Sequence, residues 1–404
     1  MARLDGDAWE SPRTIPRRVL TSVFAGCAIF GMLVAIVSTN DIHRFWGTAS
    51  ACGYAVAAVA AYVRRSDVAV GVAFVGGLLV PLIWLAATNQ QQPEVTVIAT
   101  SASMLIHHGT PYLSNAQLAH TTNPNLYNPY LPVMSVFGLL DAVFGHNVLT
   151  DPRVWFGVCF LVAFWLAMRR GGARDSMLWT LLVAGSPVIA FELAVGGDDV
   201  PIVAFLCLGF ACLWSETTWE SALALGIAAA MKATAWPAVI IAFVYVVVAH
   251  GWRAAWRFAG VAVAVLVVCI GPFLITHAHS LVFNTIEFPL GLAHVTSAAS
   301  SPLPGHLIAD TGHLGHTIVV GMLVATVLGI GAWLLVRPPR TVESATIRLI
   351  VALTLMFLIA PSTRFGYFIY PAGLLIWMLV CRRCRAAGEF PGGDDAPTPL
   401  TVGR

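Results

Sequence analysis

Apolar stretches of about 15–20 residues recur along almost the whole chain, and short polar or basic segments separate them. A helix needs roughly 20 residues to cross the hydrocarbon core of a bilayer, and a helix satisfies its own backbone polar groups there. The pattern therefore predicts an all-α polytopic membrane protein of about 11–13 transmembrane helices.

One long segment, residues 93–132, departs from this pattern because it is polar and rich in proline and tyrosine. It begins with an acid, Glu94, and continues as an amphipathic run up to two adjacent histidines, His107 and His108. The apolar residues 129–145 are broken by a proline, so we expect them to re-enter the membrane or lie on its surface rather than cross it. We therefore predict a large outer loop that carries short amphipathic helices. The two predicted outer loops cover residues 88–152 and 277–316.

Two polar interruptions stand inside the apolar stretches. Residues 222–249 are too long for one span, and the run is interrupted at Lys232, shortly before Pro237. Since proline cannot continue a helix without losing a backbone hydrogen bond, we predict two shorter helices that meet at Lys232. The second interruption is a Gly-Gly pair followed by Asp198 and Asp199, where we predict the start of an inward helix.

Composition limits the class of protein, and the distribution of charge predicts the orientation of the chain in the membrane. The chain has 404 residues, 58% of them hydrophobic and 10% charged, and its mean hydropathy is +0.80, which excludes a soluble globular protein. Arginines cluster at alternate span ends, and the positive-inside rule makes these ends and both termini cytoplasmic. A formal net charge of +2 gives no reason to expect a nucleic acid partner. The clusters are Arg13, Arg17 and Arg18; Arg64 and Arg65; Arg169, Arg170 and Arg174; Arg253 and Arg257; Arg337 and Arg340; and Arg382, Arg383 and Arg385.

Cysteine and histidine usage predicts neither a disulfide framework nor a metal site. The eight cysteines fall within predicted spans or on the cytoplasmic side. Cys381 and Cys384 form a Cys-x-x-Cys without a second pair, and the 12 histidines show no metal-ligand spacing. We expect no cofactor and no resident metal. Whether the protein requires a divalent cation stays open.

Ionisable groups at membrane depth are expensive, so each is a candidate for function. Lys232 is the only lysine of the chain; it either extends to the interface or binds a phosphate. Asp198 and Asp199 either cap a helix or orient a cation, a sugar hydroxyl or a metal. Arg364 lies in a predicted outer turn, against the positive-inside trend, which favours anion binding.

The large loop supplies further candidates, each with a simpler alternative. Glu94 either caps a helix N-terminus or acts as a general base. His107 and His108 are solvated loop residues or members of the site. Three tyrosines of the loop either stack on a sugar or anchor the chain at the membrane interface; they are Tyr112, Tyr127 and Tyr130.

Several features follow one another in a fixed order along residues 68–381. They are an acid about fifteen residues before a Gly-x-Pro-Tyr, a Tyr-x-Pro element, a Gly-Gly-Asp-Asp helix start, a Gly-to-Lys helix break and a late Pro-x-x-Arg-x-x-Tyr. This order resembles the C-type (GT-C) glycosyltransferases, and more narrowly the bacterial polyprenol-phosphate-mannose-dependent mannosyltransferases. The residues are Glu94, Gly109, Thr110, Pro111, Tyr112, Tyr127, Asn128, Pro129, Gly196, Gly197, Asp198, Asp199, Gly226, Lys232, Pro361, Arg364 and Tyr367.

The resemblance implies a fold and an activity. Residues 68–381 would form a GT-C-like catalytic domain, preceded by a cytoplasmic segment (1–18) and an additional transmembrane hairpin (19–67), and followed by a disordered cytoplasmic tail (382–404). The protein would transfer a hexose, with mannose expected, from a polyprenyl-phosphate donor to a lipid- or polymer-linked glycan. The reaction would take place at the outer face of a bacterial plasma membrane.

The resemblance also implies roles for the candidates. Glu94 would be the catalytic base, although the family acid is usually an aspartate, and Asp41 after the first span is the alternative. Lys232 and Arg364 would bind the donor phosphate. A transporter or flippase for a lipid-linked sugar remains an alternative, because broken helices also mark transport sites, and a non-enzymatic scaffold is a third. The residues expected to position the acceptor or the sugar are Asp198, Asp199, His107, His108, Tyr112, Tyr127 and Tyr367.

Overall fold

The computed structural model describes residues 10–63, 65–295 and 297–388, which fold almost entirely into helices. This part of the chain contains no β-strand beyond one isolated bridge, so the predicted all-α class is confirmed. The α-helices are α1 (Arg17–Val37), α2 (Asp41–Tyr62), α3 (Ser66–Phe74), α4 (Val80–Ala87), α5 (Pro93–His108), α6 (Asn115–Leu118), α7 (Leu139–Phe144), α8 (Pro152–Arg170), α9 (Ser176–Ala184), α10 (Pro187–Val195), α11 (Val200–Trp214), α12 (Thr218–Met231), α13 (Trp236–Thr276), α14 (Ala278–Val282), α15 (Pro304–Ala309), α16 (His313–Val336), α17 (Val342–Ile359) and α18 (Ile369–Gly388).

Seven helical segments of the described chain are long and apolar enough to cross a membrane, or eight if the bent pair α9 and α10 forms one span. This number is below 11–13 because α2 is not among the seven, and because α11 and α12 have only 15 and 14 residues. In addition, α13 counts once although Gly251, with φ of 80°, interrupts its helical backbone. The number of spans therefore stays a prediction. The seven segments are Arg17–Val37, Ser66–Ala87, Pro152–Arg170, Ala233–Thr276, His313–Val336, Val342–Ile359 and Phe365–Ala386.

The first two helices pack closely on each other and on the rest of the bundle. A Cβ added to Gly47 of α2 would lie 2.5 Å from the carbonyl oxygen of Gly31 of α1, so only glycine permits this approach. The Tyr54 hydroxyl of α2 donates a hydrogen bond of 2.8 Å to the carbonyl oxygen of Gly185, far along the chain. The predicted N-terminal hairpin therefore shares one core with the helices that follow.

Residues 177–194, whose apolar character predicts one continuous span, form two helices, α9 and α10, that are bent by 61° relative to each other. Pro187 lacks an N–H group and restricts the residue before it, and Ser186 accordingly has an extended backbone with φ of −76° and ψ of 150°. The bend directs the end of α10 toward the start of α5, where the Gln92 N–H donates a hydrogen bond of 2.9 Å to the carbonyl oxygen of Val195.

The predicted helix break at Lys232 is confirmed. Helix α12 ends at Met231, and Lys232 is extended, with φ of −157° and ψ of 140°. One turn of 3-10 helix, Ala233–Ala235, follows, and α13 then begins with Pro237 in its first turn. Proline is tolerated there because the first turn of a helix has no internal partner for its N–H groups.

The large loop between α4 and α8 contains α5, α6, α7 and short 3-10 turns, as the sequence predicted. The apolar residues 129–145 form a 3-10 segment of 7 residues followed by α7 of 6 residues. This length falls well short of the roughly 20 residues that a full crossing needs.

Helix α18 continues to Gly388, beyond residue 382, where the disordered tail was predicted to begin. Arg385 explains the continuation, because its Nε donates a hydrogen bond of 3.0 Å to the carbonyl oxygen of Gly171. Its guanidinium also lies 5.0 Å from the ring centroid of Trp214. The predicted tail from residue 389 onward, residues 1–9 of the predicted N-terminal segment and Arg64 lie outside the described residues.

Candidate active site

A cavity of about 680 Å³ opens where the ends of several helices meet. The starts of α2 and α5, the end of α10 and the turn before α11 contribute to its wall, together with the break between α12 and α13. Residues 124–130 of the first large loop and 297–302 of the second close the remaining sides, along with residues 364–367 before α18. The two large loops and the turn that carries Arg364, which the sequence predicted on one side of the membrane, therefore share one cavity.

Lys232 lies in this cavity and is fixed by two carboxylates. Its Nζ lies 2.6 Å from Asp199 Oδ1 and 3.4 Å from Asp198 Oδ2. The ring centroids of Tyr130 and Tyr367 are 5.3 Å and 4.9 Å from the same atom. Only 10% of the side chain is exposed, so Lys232 is held inside the protein and does not extend outward as a snorkelling lysine would.

Asp198 and Asp199 do not act as helix caps. Asp199 occupies the N-cap position of α11, yet its side chain makes no capping hydrogen bond. Its Oδ1 instead accepts a hydrogen bond of 2.6 Å from the Tyr370 hydroxyl, which also lies 3.0 Å from Thr234 Oγ1. Gly197, with φ of 73°, supplies the left-handed turn that places both carboxylates beside Lys232.

Burial and mutual repulsion change the titration of this cluster. Burial, followed by the charge of Asp199, raises the pKa of Asp198 to about 6, although Lys232 opposes the shift. Burial lowers the pKa of Lys232, but the two carboxylates outweigh that effect and raise it well above its ordinary value. Lys232 therefore keeps its positive charge throughout the physiological range.

Glu94 and Arg364 form a second ion pair on the wall of the cavity. Pro93 begins α5, so Glu94 lies in the first helical turn, but its carboxylate contacts Arg364 Nη1 rather than backbone N–H groups. The side chains are 12% and 32% exposed, respectively. The pair joins the first large loop to the segment before α18.

The second large loop holds Arg364 in position. Ser301 N–H donates to the carbonyl oxygen of Thr363, and Thr363 N–H donates to that of Ala299, both at 2.9 Å. The Thr363 hydroxyl also donates a hydrogen bond of 2.8 Å to the carbonyl oxygen of Phe357 at the end of α17. This short bridge fixes the backbone next to Arg364 from both sides.

The other predicted site residues divide into two groups. Tyr127 and Tyr367 line the cavity, and Tyr127 stacks on Phe288 with ring centroids 4.3 Å apart. His107 and His108 are exposed at the end of α5 and are not part of the cavity wall. Tyr112 is buried outside the cavity, where its hydroxyl donates a hydrogen bond of 2.9 Å to the Tyr130 carbonyl oxygen.

Asp41, the alternative to Glu94, lies at the start of α2 with its side chain 93% exposed. It pairs with Arg44 at 3.8 Å and does not line the cavity, although its neighbours Asn40 and His43 do. The geometry therefore favours Glu94 over Asp41 as the carboxylate that a substrate in the cavity would meet.

Sequence reasoning missed several residues of the cavity. His43 lines the cavity, and its Nε2 lies 2.7 Å from the side-chain nitrogen of Gln92, another residue of the cavity wall. Tyr370, which binds Asp199 from outside the cavity wall, was missed as well. Glu192 also lines the cavity. The signal for Glu192 was present, because it is an acid within a predicted span and the rule that singled out Lys232 applies equally to it.

An apolar helical bundle with polar residues at one end is typical of a membrane protein, and the charged cavity at that end is large enough to hold a small-molecule substrate. Among the described residues, no group of three or more His, Cys, Asp or Glu side chains could hold a metal ion. Residues 126–361 match Glycosyltransferase family 87, and because this is more than half of the chain, the protein belongs to that family. The predicted relationship to glycosyltransferases is therefore confirmed at the level of the family.

The chain is also similar to a solved structure, the crystal structure of ArnT from Cupriavidus metallidurans in the apo state. The two share 16% sequence identity with a TM-score of 0.49, and the similarity covers 79% of this chain and 61% of that chain. This chain thus spans less than two thirds of the length of that protein. No curated protein matches the sequence.

Proposed function

We propose that the protein transfers a hexose, with mannose expected, from a polyprenyl-phosphate donor to a hydroxyl of a lipid- or polymer-linked glycan. The reaction would take place at the outer face of the cell membrane. The observation that carries this proposal is that one cavity contains a carboxylate, Glu94, together with two cations, Lys232 and Arg364. Membership of Glycosyltransferase family 87 supports the transfer of a sugar, and the apolar surroundings of the cavity suit a lipid-linked donor.

The proposed reaction is a single displacement. The oxygen of the acceptor hydroxyl attacks the anomeric carbon of the donor sugar and forms the new glycosidic bond. The bond between that carbon and the phosphate oxygen breaks, and its electron pair leaves with the polyprenyl phosphate. Glu94 accepts the proton of the attacking hydroxyl. One base and no second nucleophile give inversion at the anomeric carbon.

Lys232 and Arg364 would stabilise the charge that develops on the departing phosphate. Both are fixed before the reaction, Lys232 by two carboxylates and Arg364 by the bridge at Thr363, so little reorganisation is needed. Since Arg364 pairs with Glu94, a donor phosphate that binds Arg364 would replace that carboxylate and leave it able to accept a proton. Asp198 and Asp199 would act by holding Lys232.

A transfer assay tests the proposal. Purified protein, a labelled polyprenyl-phosphate mannose and a glycolipid acceptor should give a labelled product. Glu94→Gln removes the proton acceptor with little change in size and should abolish transfer. Asp41→Asn is the matched control at an exposed acid and should retain it. Loss of transfer in Asp41→Asn with retention in Glu94→Gln would move the base to Asp41.

The main alternative is a transporter or flippase for a lipid-linked sugar. The break at Lys232 favours it, because discontinuous helices also form transport sites. Reconstituted vesicles distinguish the two functions. Movement of labelled lipid between leaflets without transfer of its sugar would establish transport and exclude the enzyme.

A further inference from the structure

Glu192 differs from the other acids of the cavity in its surroundings. It lies near the end of α10, is half-buried and lines the cavity. Its carboxylate adjoins Gly366, since a Cβ added to that glycine would lie 2.6 Å from Glu192 Oε1. The carboxylate is therefore placed between the α10 wall and the segment that carries Arg364.

The cations of the cavity are already paired with other acids. Lys232 contacts Asp198 and Asp199, and Arg364 contacts Glu94. Glu192 has no ion pair or hydrogen bond with any residue in the part of the chain that the structure describes. A half-buried carboxylate without donors is costly, which favours a ligand that supplies them.

We propose that Glu192 binds the sugar by accepting hydrogen bonds from neighbouring hydroxyl groups of a hexose in the cavity. The two oxygens of a carboxyl group match two adjacent hydroxyl groups, and both of them accept hydrogen bonds when the group is ionised. The rings of Tyr130, Tyr367 and Phe288 line the same cavity and offer apolar surfaces to the C–H faces of a pyranose. This assignment rests on the proposed function, and the hexose belongs either to the donor or to the acceptor.

Two substitutions separate the charge of this carboxylate from its position. Glu192→Gln keeps the size of the side chain but weakens it as an acceptor. Gly366→Ala keeps the charge and displaces the carboxylate, because the new Cβ would meet Oε1. Gly366 does not have a positive φ, so alanine is not strained by the backbone there. Glu287→Gln is the matched control, since Glu287 does not line the cavity.

Steady-state transfer kinetics, with the labelled polyprenyl-phosphate mannose and the glycolipid acceptor varied separately, test the role of Glu192. Glu192→Gln should raise one KM by about tenfold or more, the scale of a lost hydrogen bond to a charged group, and should change kcat by less than about threefold. Gly366→Ala should act in the same direction. A raised donor KM assigns the hexose to the donor, and a raised acceptor KM assigns it to the acceptor.

The opposite results are equally clear. A lost kcat with an unchanged KM would make Glu192 part of the chemical step, and unchanged kinetics would show that it does not contact substrate. Either result overturns the assignment while leaving the proposed transfer intact.

A binding measurement tests Glu192 without transfer. Methyl α-mannopyranoside should raise the unfolding temperature of the purified wild type and of Glu94→Gln but not that of Glu192→Gln. Equal stabilisation of all three proteins contradicts the proposal, and so does a wild type that the sugar does not stabilise. If no sugar is transferred by a wild type that still shows this pattern, only the proposed function fails.

Discussion

Two buried clusters of charge in this protein differ in their surroundings. Arg153 and Asp151 at the start of α8 are completely buried, and the guanidinium makes two bonds to the carboxylate, of 3.0 Å and 2.7 Å. Arg153 Nη1 also donates bonds of 2.9 Å to the carbonyl oxygens of Gln90 and Ala194. The second cluster, around Lys232, lines a cavity and keeps about 10% of each side chain exposed.

The comparison separates a structural from a functional use of buried charge. Arg153 meets acceptors from three directions and connects α8 to the residues before α5 and the end of α10. Lys232 faces two carboxylates, and the cluster keeps a surface on the cavity that a substrate can reach. A buried ion pair whose donors all have acceptors can only hold structural elements together. A charged cluster with one face on a cavity can also bind a ligand.

The largest expected effect is a loss of stability when Arg153 is removed. Arg153→Ala leaves the buried Asp151 carboxylate without its counter-charge and two carbonyl groups without their side-chain donor, and should lower the free energy of unfolding by about 3–5 kcal/mol. Denaturant unfolding in detergent measures this change in the free energy of unfolding. Arg253→Ala, at an exposed arginine, should change stability by less than about 0.5 kcal/mol. Equal effects at both positions would contradict the structural role.

Lys232→Met should instead act on catalysis. Methionine has a similar length without the charge, so the rate of transfer should fall by about 10²–10³-fold, as for the loss of one oxyanion-stabilising donor. Transfer assays with saturating donor measure the fall.

A double variant shows whether Lys232 acts on the substrate or only on the fold. Lys232→Met combined with Asp199→Asn also removes one of the carboxylates left unpaired, and should recover stability without recovering transfer. Recovery of transfer in the double variant would mean that Lys232 is required only to neutralise the aspartates.

The titration of Asp198 gives a smaller, pH-dependent difference. Because its pKa is raised to about 6 in the folded protein, the folded state holds this proton more tightly than the unfolded state between about pH 4 and 6. Stability from this group is present below that window and is lost as the pH rises through it, by on the order of 3 kcal/mol. Asp198→Asn should remove this part of the pH dependence of the unfolding free energy, and Asp310→Asn at an exposed position should preserve it.

The sequence predicted those parts of the site that depend on local chemistry. The proline after Lys232 located the helix break, and the alternation of arginine clusters placed Glu94, Asp198 and Arg364 on one side of the bundle. The proximity of these side chains in one cavity depends on how the helices pack, which no periodicity reveals.

Three features needed the tertiary structure. Tyr112 belongs to a motif that suggested sugar binding, but it packs against Leu131 and Ile270. The bend before Pro187 was overlooked because the surrounding residues are apolar enough for a continuous span. Glu192 was hidden in the same predicted span, and only the bend and the contact with Gly366 place it at the cavity.

The smallest expected effect concerns the hydroxyl that joins the Lys232 cluster to α18. Tyr370→Phe removes the donor to Asp199 and should lower stability by about 1 kcal/mol, with a change in transfer of less than about tenfold, since Lys232 keeps both carboxylates. Tyr245→Phe is the matched control at a buried tyrosine and should leave both quantities unchanged. If Tyr370→Phe lowered transfer as strongly as Lys232→Met, the position of Asp199 rather than the charge of Lys232 would limit the reaction. The cluster would then resemble the Arg153 pair, because its role would depend on every one of its hydrogen bonds.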